Sequence, residues 1–173
     1  MTIRNALERD LARVVEIYNA AVPTRKSTAD TQPVSIESRS EWFHKHDPER
    51  RPLLVYEKND EVVAWMSFED FYGRPAYRHT AELSIYIAPD HQGQHLGRNL
   101  LSEAMSLAPT LGVKALVGYV FSHNLPSLGL LQAFGFQEWG RLPDVAEMDG
   151  KEFSLCIMGK RVENTEMPSY TVQ

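Results

Sequence analysis

A glycine-punctuated turn between a strand pattern and a helix pattern constrains this chain more than any other feature. Residues 81–102 read AELSIYIAPDHQGQHLGRNLLS, and the apolar residues at 83, 85 and 87 alternate with Glu, Ser and Tyr. A period of two predicts a β-strand, which Pro89 ends. Leucines then recur at helical spacing, so a helix is expected to begin close to Gly97. A strand, a tight turn and a helix N-terminus must therefore follow one another directly.

The start of this helix is a potential anion-binding site. The first N–H groups of a helix have no acceptor within the helix, and the positive end of the helix dipole lies behind them. Glycines allow the backbone to approach a phosphate there, although many glycine-rich turns bind nothing. The sequence has no GxxxxGK[ST] loop and no early GxGxxG in a βαβ unit, which disfavours the common nucleotide-binding loops. A pyrophosphate is the expected anion.

Two linked motifs carry a family resemblance. Residues 92–97, QGQHLG, resemble the Q/R-x-x-G-x-G/A signature of the GNAT superfamily of acetyl-CoA-dependent N-acyltransferases. Asn124, Ser127 and the pair Gly135-Phe136 resemble that superfamily's N-x-x-S/A followed by G-F. The closer similarity is to the phosphinothricin and methionine sulfoximine acetyltransferase branch, over roughly residues 3–158. Its marks are EIYNAAV at 16–22, Trp42, YRHTAE at 77–82 and YIAPDHQG at 86–93.

The predicted order of elements is β-α-α-β-β-β-α-β-α-β-β. This order indicates an α/β fold with a mixed sheet and helices on both faces, and it is also the GNAT order. The resemblance implies a mostly antiparallel central sheet of about seven strands. Hairpin turns are expected at Asn59-Asp60 and Asp149-Gly150. We expect one domain over residues 1–162, because 173 residues with 43% hydrophobic content suit a single core, and a polar tail over residues 163–173.

Composition narrows the partners and the compartment. The formal net charge of −5 disfavours a broad nucleic-acid or anionic-membrane surface and favours small-molecule partners. No apolar run approaches the roughly 20 residues that span a bilayer, and residues 1–10 lack a signal-peptide core. We therefore expect a cytoplasmic protein with neither nucleic acid nor membrane as partner. Cys156 is the only cysteine and is expected to be a buried structural thiol.

The resemblance implies direct transfer of an acetyl group from the cosubstrate acetyl-CoA, without a metal, to the amine of a small amino-acid-like acceptor. Because alkyl ammonium groups have pKa values of about 10, such a reaction needs a base. Glu82 matches the glutamate that has this role in the branch, whereas taken alone it reads as a solvated strand residue. Polyamine or protein-amine acceptors remain alternatives, as does a catalytically degenerate acyl-CoA-binding module.

The coenzyme-binding residues follow from the two motifs. A backbone N–H in residues 85–87 is expected to point at the thioester carbonyl. Asn124 can exchange hydrogen bonds with the pantetheine arm, or it can be an ordinary helix cap. The predicted contacts are Ile85, Tyr86, Ile87, Gln92, Gly93, Gln94, His95, Leu96, Gly97, Arg98, Asn124 and Ser127.

Two departures from the family pattern affect the coenzyme and the leaving group. His95 stands where the signature usually has its middle glycine, so the turn must accommodate a Cβ. Leu131 stands where relatives have a tyrosine or histidine four residues before the G-F glycine, and leucine cannot donate a proton. The general acid is therefore not identified. Tyr119, Tyr86 and His123 are the substitutes to consider, and the alternative is that the thiolate leaves unprotonated near the positive helix ends.

The acceptor-binding residues are predicted to be Tyr77, Arg78 and Phe134. Arg78 resembles the arginine of the branch's F-R-Y-T-V-E-like run and can pair bidentately with a carboxylate, or it is a surface arginine. A third departure is the run MDGKEFS at 148–154, which lacks the tryptophan and aspartate of the branch. This departure leaves the phosphinothricin-type substrate open.

A homodimer is expected from the resemblance and from a set of large apolar residues towards the two ends of the sheet. A soluble monomer seldom exposes a large contiguous apolar patch, so a partner chain would cover them. The alternative is that these side chains pack under the flanking helices. The set comprises Trp65, Phe68, Phe71, Tyr72 and Trp139.

Overall fold

A computed structural model describes residues 2–162, and the predicted tail at 163–173 lies outside them. Seven strands form one sheet in the spatial order β1-β2-β3-β4-β5-β7-β6. The strands are β1 (Thr2–Asn5), β2 (Leu53–Lys58), β3 (Glu61–Asp70), β4 (Thr80–Ile87), β5 (Ala115–Phe121), β6 (Gln137–Met148) and β7 (Lys151–Arg161). The α-helices are α1 (Leu11–Ala21), α2 (Ile36–His44), α3 (Leu96–Leu107) and α4 (Leu125–Ala133). The predicted order of strands and helices is confirmed.

Among the strands of residues 2–162, only one pair of neighbours is parallel. β4 and β5 run side by side in the same direction, with the helix α3 as their crossover, and the other five pairs are antiparallel. The mixed, mostly antiparallel sheet implied by the resemblance is therefore confirmed. The parallel pair lies near the middle of the sheet.

Helices cover both faces of the sheet and define two apolar cores. Helices α1 and α2 pack on one face, where Val14, Ile17 and Phe43 contact Val55 and Trp65. Helix α3 packs on the other face through residues such as Leu100 and Leu101, and α4 adds partly buried leucines there. Alternate residues of β3 serve the two cores, as the period of two requires. We call these surfaces the α1/α2 face and the α3/α4 face.

Local sequence signals account for the main turns and caps. Asn59 and Asp60 both have positive φ, 52° and 61°, as a tight two-residue hairpin demands. Ser35 caps α2 by accepting a hydrogen bond from the Ser38 N–H at 3.1 Å. Asp149 and Gly150 form the β6–β7 turn with φ of 53° and 72°.

The apolar residues that motivated the dimer fall into two groups. Trp65 and Phe68 are 2% and 0% exposed, because they point into the two helix-covered cores. Counting them as uncovered surface is wrong, and packing under the helices is the correct interpretation for both. Tyr72 and Trp139 are 73% and 46% exposed, so these two members of the set still support a partner chain that covers exposed apolar surface. Phe71 is partly buried against the rings of Tyr72 and Tyr77.

Two further expectations concern single features. Cys156 is fully buried on β7, as predicted for a structural thiol. Over residues 2–162, no helix has the length and apolar character needed to cross a bilayer.

Candidate active site

The site is built where β4 and β5 separate. The two strands pair only at residues 80–82 with 115–117, and both continue beyond this point without pairing to each other. A cavity of about 440 Å³ occupies the resulting gap. Glu82, Tyr119, Asn124 and Leu131 line it, together with the loop residues 26–29. The cavity therefore connects the α1/α2 face with the α3/α4 face through the sheet.

The register of β4 decides which of its N–H groups are free. The Ala88 N–H donates to the Val63 carbonyl at 2.9 Å, and backbone groups alternate sides along an antiparallel strand. Tyr86, two residues before Ala88, therefore directs its N–H towards β3, whereas Ile85 and Ile87 direct theirs into the gap. Of the three predicted backbone donors, the Tyr86 N–H is consumed by the sheet.

Glu82 is the last residue of β4 that pairs with β5, and its side chain lines the cavity. Burial, reinforced by the nearby charge of Glu69, raises the pKa of Glu82 to about 7. A carboxylate in this range can accept a proton and release it near neutral pH. The predicted base is therefore half-buried and lines the cavity between β4 and β5.

Glu69 lies directly opposite Glu82 on β3, and the sequence reasoning did not find it. The two residues are register partners on adjacent antiparallel strands, so their side chains leave the sheet on the same face. The Trp42 indole N–H and the Ser67 hydroxyl donate to Glu69 Oε1 at 3.1 Å and 3.2 Å. No local motif marks this glutamate, because its significance comes from the pairing of β3 with β4.

The loop after α1 forms one wall of the cavity, and three side chains hold it there. The Asn124 amide donates to the Lys26 carbonyl at 3.1 Å, and the Tyr86 hydroxyl donates to the Ser27 carbonyl at 2.8 Å. His123 Nε2 lies 2.7 Å from the Arg25 carbonyl and bonds to it. These partners lie between 59 and 98 residues further along the chain, so local sequence does not indicate that this loop reaches the cavity.

Asn124 is both a helix cap and a cavity-lining residue. Its Oδ1 accepts from the Ser127 N–H at 3.3 Å, which caps α4, while its Nδ2 is bonded to Lys26. The side chain is almost fully buried. Ser127 lines the cavity beside it. The cap interpretation is thus observed, and a contact with pantetheine stays a prediction.

The turn before α3 has the backbone expected of an anion site. Gly93 and His95 have φ of 73° and 63°, so a non-glycine residue adopts the left-handed conformation that the signature's middle position requires. The first bond within α3 is from the Asn99 N–H to the His95 carbonyl. The N–H groups of residues 96–98 precede it and have no intrahelical acceptor.

Side chains around this turn differ in their surroundings. Gln92 and Gln94 donate to the carbonyls of Ile87 and Asp90, and the Lys58 ammonium reaches Gln94 Oε1 at 3.2 Å. Sequence reasoning missed Lys58, because only the β2–β3 hairpin brings it to α3. A Cβ added to Gly97 would lie 3.0 Å from Leu130 Cδ2, so this glycine also permits α3 and α4 to pack closely.

The three substitutes for the missing acid differ in availability. The Tyr86 hydroxyl and His123 Nε2 are both bonded to carbonyls of the loop after α1. Tyr119 lines the cavity and is 36% exposed. Partial burial raises the pKa of Tyr119, and Glu82 and Tyr72 act in the same direction. Of the three candidates, Tyr119 is therefore the one that lines the cavity and is not bonded to the loop after α1.

The predicted acceptor-binding residues do not line this cavity. Tyr77 and Arg78 are exposed beside a smaller pocket of about 140 Å³, near Arg50 and Asp70. Phe134 lies at the end of α4, where the Arg98 guanidinium sits 5.6 Å from its ring centre. The structure thus does not bring these three residues together with Glu82, and their roles stay predictions.

The residues present fit an acetyl-CoA molecule. Free N–H groups at the start of α3 suit a pyrophosphate, with Lys58 and Arg98 as nearby cations. The gap between β4 and β5 offers unpaired backbone groups and an apolar wall from Leu130 and Leu131, which suit an arm with amide groups. Within the described residues, no group of three or more His, Cys, Asp or Glu side chains could hold a metal ion.

Comparisons with known proteins agree with this geometry. The model of the acetyltransferase (GNAT) family matches residues 11–136. The chain is 52% identical over 163 residues to a Bacillus subtilis protein provisionally named phosphinothricin acetyltransferase YwnH, covering 94% of this chain and 99% of that protein. It is 33% identical over 168 residues to the L-methionine sulfoximine/L-methionine sulfone acetyltransferase of Salmonella typhimurium, covering 97% and 98%.

A solved structure of a relative contains the expected cosubstrate. The crystal structure of a GNAT superfamily phosphinothricin acetyltransferase from Sinorhizobium meliloti was determined in complex with acetyl-CoA. It matches this chain with a TM-score of 0.88 at 25% identity, covering 99% of this chain and 94% of that chain.

Proposed function

The chain belongs to the acetyltransferase (GNAT) family, and from that premise we propose that its acceptor is a small amino-acid-like amine of the phosphinothricin and methionine sulfoximine class. The chain is an N-acetyltransferase with acetyl-CoA as its cosubstrate. The observation that carries the proposal is Glu82, a half-buried carboxylate with a raised pKa, in the cavity between β4 and β5.

Glu82 acts as the base in this proposal. The acceptor arrives as an ammonium ion, and the carboxylate removes one proton, directly or through a water, so that the neutral amine becomes a nucleophile. A pKa of about 7 makes this carboxylate a stronger base than an ordinary glutamate. Acetyl-CoA supplies the acetyl thioester.

The unpaired N–H groups of Ile85 and Ile87 are proposed to stabilise negative charge. They face the gap because the register of β4 directs them away from β3. Fixed N–H donors of this kind stabilise the charge that develops on a carbonyl oxygen during acyl transfer. Asn124 and Ser127 would border the pantetheine arm, and residues 92–98 would hold the pyrophosphate.

Tyr119 is proposed to supply the proton for the leaving thiolate. Leu131 cannot do so, and the Tyr86 hydroxyl and His123 Nε2 are already bonded to the loop after α1. Tyr119 shares the cavity with Glu82, and its raised pKa keeps the hydroxyl protonated near neutral pH.

The acceptor class rests on the names of the relatives and on the shape of the site. One relative is provisionally named for phosphinothricin, and the other is named for methionine sulfoximine and methionine sulfone. Tyr77 and Arg78 are exposed outside the cavity, beside the smaller pocket, and are proposed to meet the rest of the acceptor, including a carboxylate. Acceptors such as polyamines or protein amines are the alternative enzyme function. A purely acyl-CoA-binding module would have no use for Glu82.

A coenzyme A release assay tests the acceptor class. The panel comprises amino acids, methionine sulfoximine, methionine sulfone, phosphinothricin and a polyamine. We expect release with the sulfoximine, sulfone or phosphinate compounds at far lower concentrations than with the polyamine. Preference for the polyamine, or release with none of the small amino acid analogues, would refute the proposed acceptor.

A cytoplasmic homodimer completes the proposal. The exposed aromatic residues Tyr72 and Tyr77, next to the site, and Trp139, on the edge strand β6, support a covering partner chain. A stable two-fold interface buries about 1,200 Å² or more in total. Sedimentation velocity at micromolar concentration tests this, and a single species of about 20 kDa, the mass of one chain of 19.7 kDa, would refute the dimer.

A further inference from the structure

Two carboxylates stand side by side at the active site, although the proposed reaction uses only one. Glu69 and Glu82 are register partners on β3 and β4. The phase of this strand pair, set by the Ala88 to Val63 bond, makes them a hydrogen-bonded pair with Cα atoms about 5.5 Å apart. Their side chains leave the same face of the sheet. Like charges in this arrangement repel each other.

Glu69 is held in place more firmly than an ordinary surface glutamate. Two donors, the Trp42 indole N–H and the Ser67 hydroxyl, converge on its Oε1 atom. Trp42 is itself fixed by edge-on contacts with Trp65 and His46. The negative charge of Glu69 therefore has a defined position beside Glu82.

No positive charge compensates this pair. Among residues 2–162, neither carboxylate takes part in an ion pair. His46 approaches Glu69, but burial lowers the pKa of His46 despite the opposing effect of Glu69, so the ring is neutral near pH 7. Its Nε2 atom is buried and has no partner among the described residues.

We propose that Glu69 is a positioning residue for acetyl transfer, which acts through Glu82: its fixed negative charge increases the affinity of the Glu82 carboxylate for the acceptor's proton. This inference rests on the proposed role of Glu82 as base. In the step concerned, one proton moves from the acceptor's ammonium group to a Glu82 oxygen, and the nitrogen keeps the electron pair of the broken N–H bond. Glu69 neither gains nor loses a proton.

The contribution of Glu69 can be separated from the other groups around Glu82. Desolvation raises the pKa of Glu82 first, and the charge of Glu69 adds to it. The other titratable groups around this region include Tyr119 on β5, Tyr86 on β4, Lys26 in the loop after α1, His46 after α2, Tyr72 after β3, and Tyr18 on α1 and Arg39 on α2, which pack against Tyr86 and Trp42. Substituting Glu69 removes one charge and leaves all of these in place.

The first experiment is a titration of the free protein, followed by NMR of ¹³C-labelled glutamate side chains. The Glu82 signal is assigned by its loss in Glu82→Gln. In Glu69→Gln we expect the midpoint of Glu82 to move to lower pH by about one pH unit, as expected for removal of one charge at this separation. Glu69→Asp retains the charge and should restore most of the wild-type midpoint.

The matched control is a second pair of glutamates in the same arrangement. Glu147 and Glu152 are register partners on β6 and β7, and both are exposed and do not line the cavity. Glu152→Gln should leave the midpoint of Glu82 unchanged. Trp42→Phe keeps the ring but removes the donor to Glu69, so an intermediate change is expected, and this variant serves if Glu69→Gln does not fold.

The second experiment is the pH profile of kcat with an active acceptor. In Glu69→Gln the acidic limb should move to lower pH, while the rate on the plateau falls about threefold because the base is weaker. A merely structural role would lower the rate without moving the limb. The dissociation constant for acetyl-CoA should not change.

Each outcome has a defined meaning. A midpoint of Glu82 that is the same in wild type and in Glu69→Gln would overturn the inference, as would a moved midpoint with an unmoved pH profile. Absence of coenzyme A release by the wild type with every acceptor would instead refute the proposed function. The NMR titration would still decide whether Glu69 controls the protonation of Glu82.

Discussion

Replacing Glu82 by glutamine should weaken catalysis and strengthen the fold, and the size of both effects follows from its burial. Burial and Glu69 raise the pKa of Glu82 from 4.5 to about 7. At 1.36 kcal/mol per pKa unit, this difference amounts to about 3 kcal/mol of unfavourable free energy for the ionised carboxylate. Because the side chain is only partly buried, solvent screening reduces the expected effect to about 1–2 kcal/mol.

The sign of the effect depends on pH. Below the unfolded-state pKa of 4.5, Glu82 is neutral in both states, and glutamine should change the free energy of unfolding little. Between pH 4.5 and 7 the unfolded chain loses the proton first, so the stability of the wild type falls as the pH rises. At pH 8 we therefore expect Glu82→Gln to be more stable by about 1–2 kcal/mol, or about 3 °C or more in Tm.

The assay is urea denaturation at pH 5 and pH 8, paired with kcat and the dissociation constant for acetyl-CoA. We expect kcat to fall by about 10²-fold or more, while acetyl-CoA affinity is retained. Glu152→Gln is the control, since Glu152 is exposed and should give no pH-dependent difference. Equal stability of Glu82→Gln and wild type at pH 8 would refute the claim that burial destabilises the ionised Glu82 carboxylate. Near wild-type turnover would refute the role of Glu82 as the base.

Three further substitutions test the remaining parts of the site. Gly97→Asp should lower acetyl-CoA affinity by at least about tenfold in calorimetry, because its charge opposes an anion at the start of α3, whereas Gly97→Ala measures the crowding against Leu130 alone. Equal affinities of these two variants would contradict the anion site. Tyr119→Phe should lower kcat by about tenfold or more without changing acetyl-CoA affinity, and an unchanged kcat would exclude it as the acid. Asn124→Ala removes the cap of α4 and the bond to Lys26, so chemical denaturation should show a loss of about 1–2 kcal/mol; no loss would contradict the cap.

Local signals were sufficient for the order of strands and helices and for placing Glu82 on the central strand. Neighbouring residues alone indicate three features: the alternation at 82–87, the helical spacing of the leucines after Gly97, and the tight turn at Asn59 and Asp60. Predicting that Glu82 lies near the start of the central strand requires only that the strand be recognised from its alternating pattern. These features depend on short-range sterics and periodicity, which a single sequence carries.

The phase of strand pairing could not be predicted in this way. Ile85, Tyr86 and Ile87 look equivalent as backbone donors, yet the register with β3 uses the Tyr86 N–H and leaves the other two free. Shifting the pairing by one residue would reverse this assignment. The same long-range register brings Glu69 opposite Glu82, which no motif near residue 69 indicates.

Residues in loops were the least predictable part of the site. The loop after α1 reaches the cavity because bonds from Tyr86, His123 and Asn124 hold it, and these partners lie some 60 to 100 residues away in the chain. Arg78, by contrast, sits in the run that carries the resemblance, yet it is exposed outside the cavity. Resemblance identifies positions along the chain, but the direction of each exposed side chain depends on packing with residues that are distant in the sequence.

One structural feature explains why base, backbone donors and cavity occur together. Where β4 and β5 part after Glu82 and Val117, each β4 residue that faces β5 loses its sheet partner. Unpaired N–H groups are costly when buried, unless a ligand accepts from them. The gap that leaves the N–H groups of Ile85 and Ile87 unpaired is the same cavity that Glu82 lines. Because Glu82 is at the last paired position of β4, the sheet desolvates its carboxylate on one side and the cavity lies on the other. Closing the gap would satisfy the backbone but would bury the proposed base without access to an amine, so the proposed mechanism needs the open parallel pair, at a cost in sheet stability.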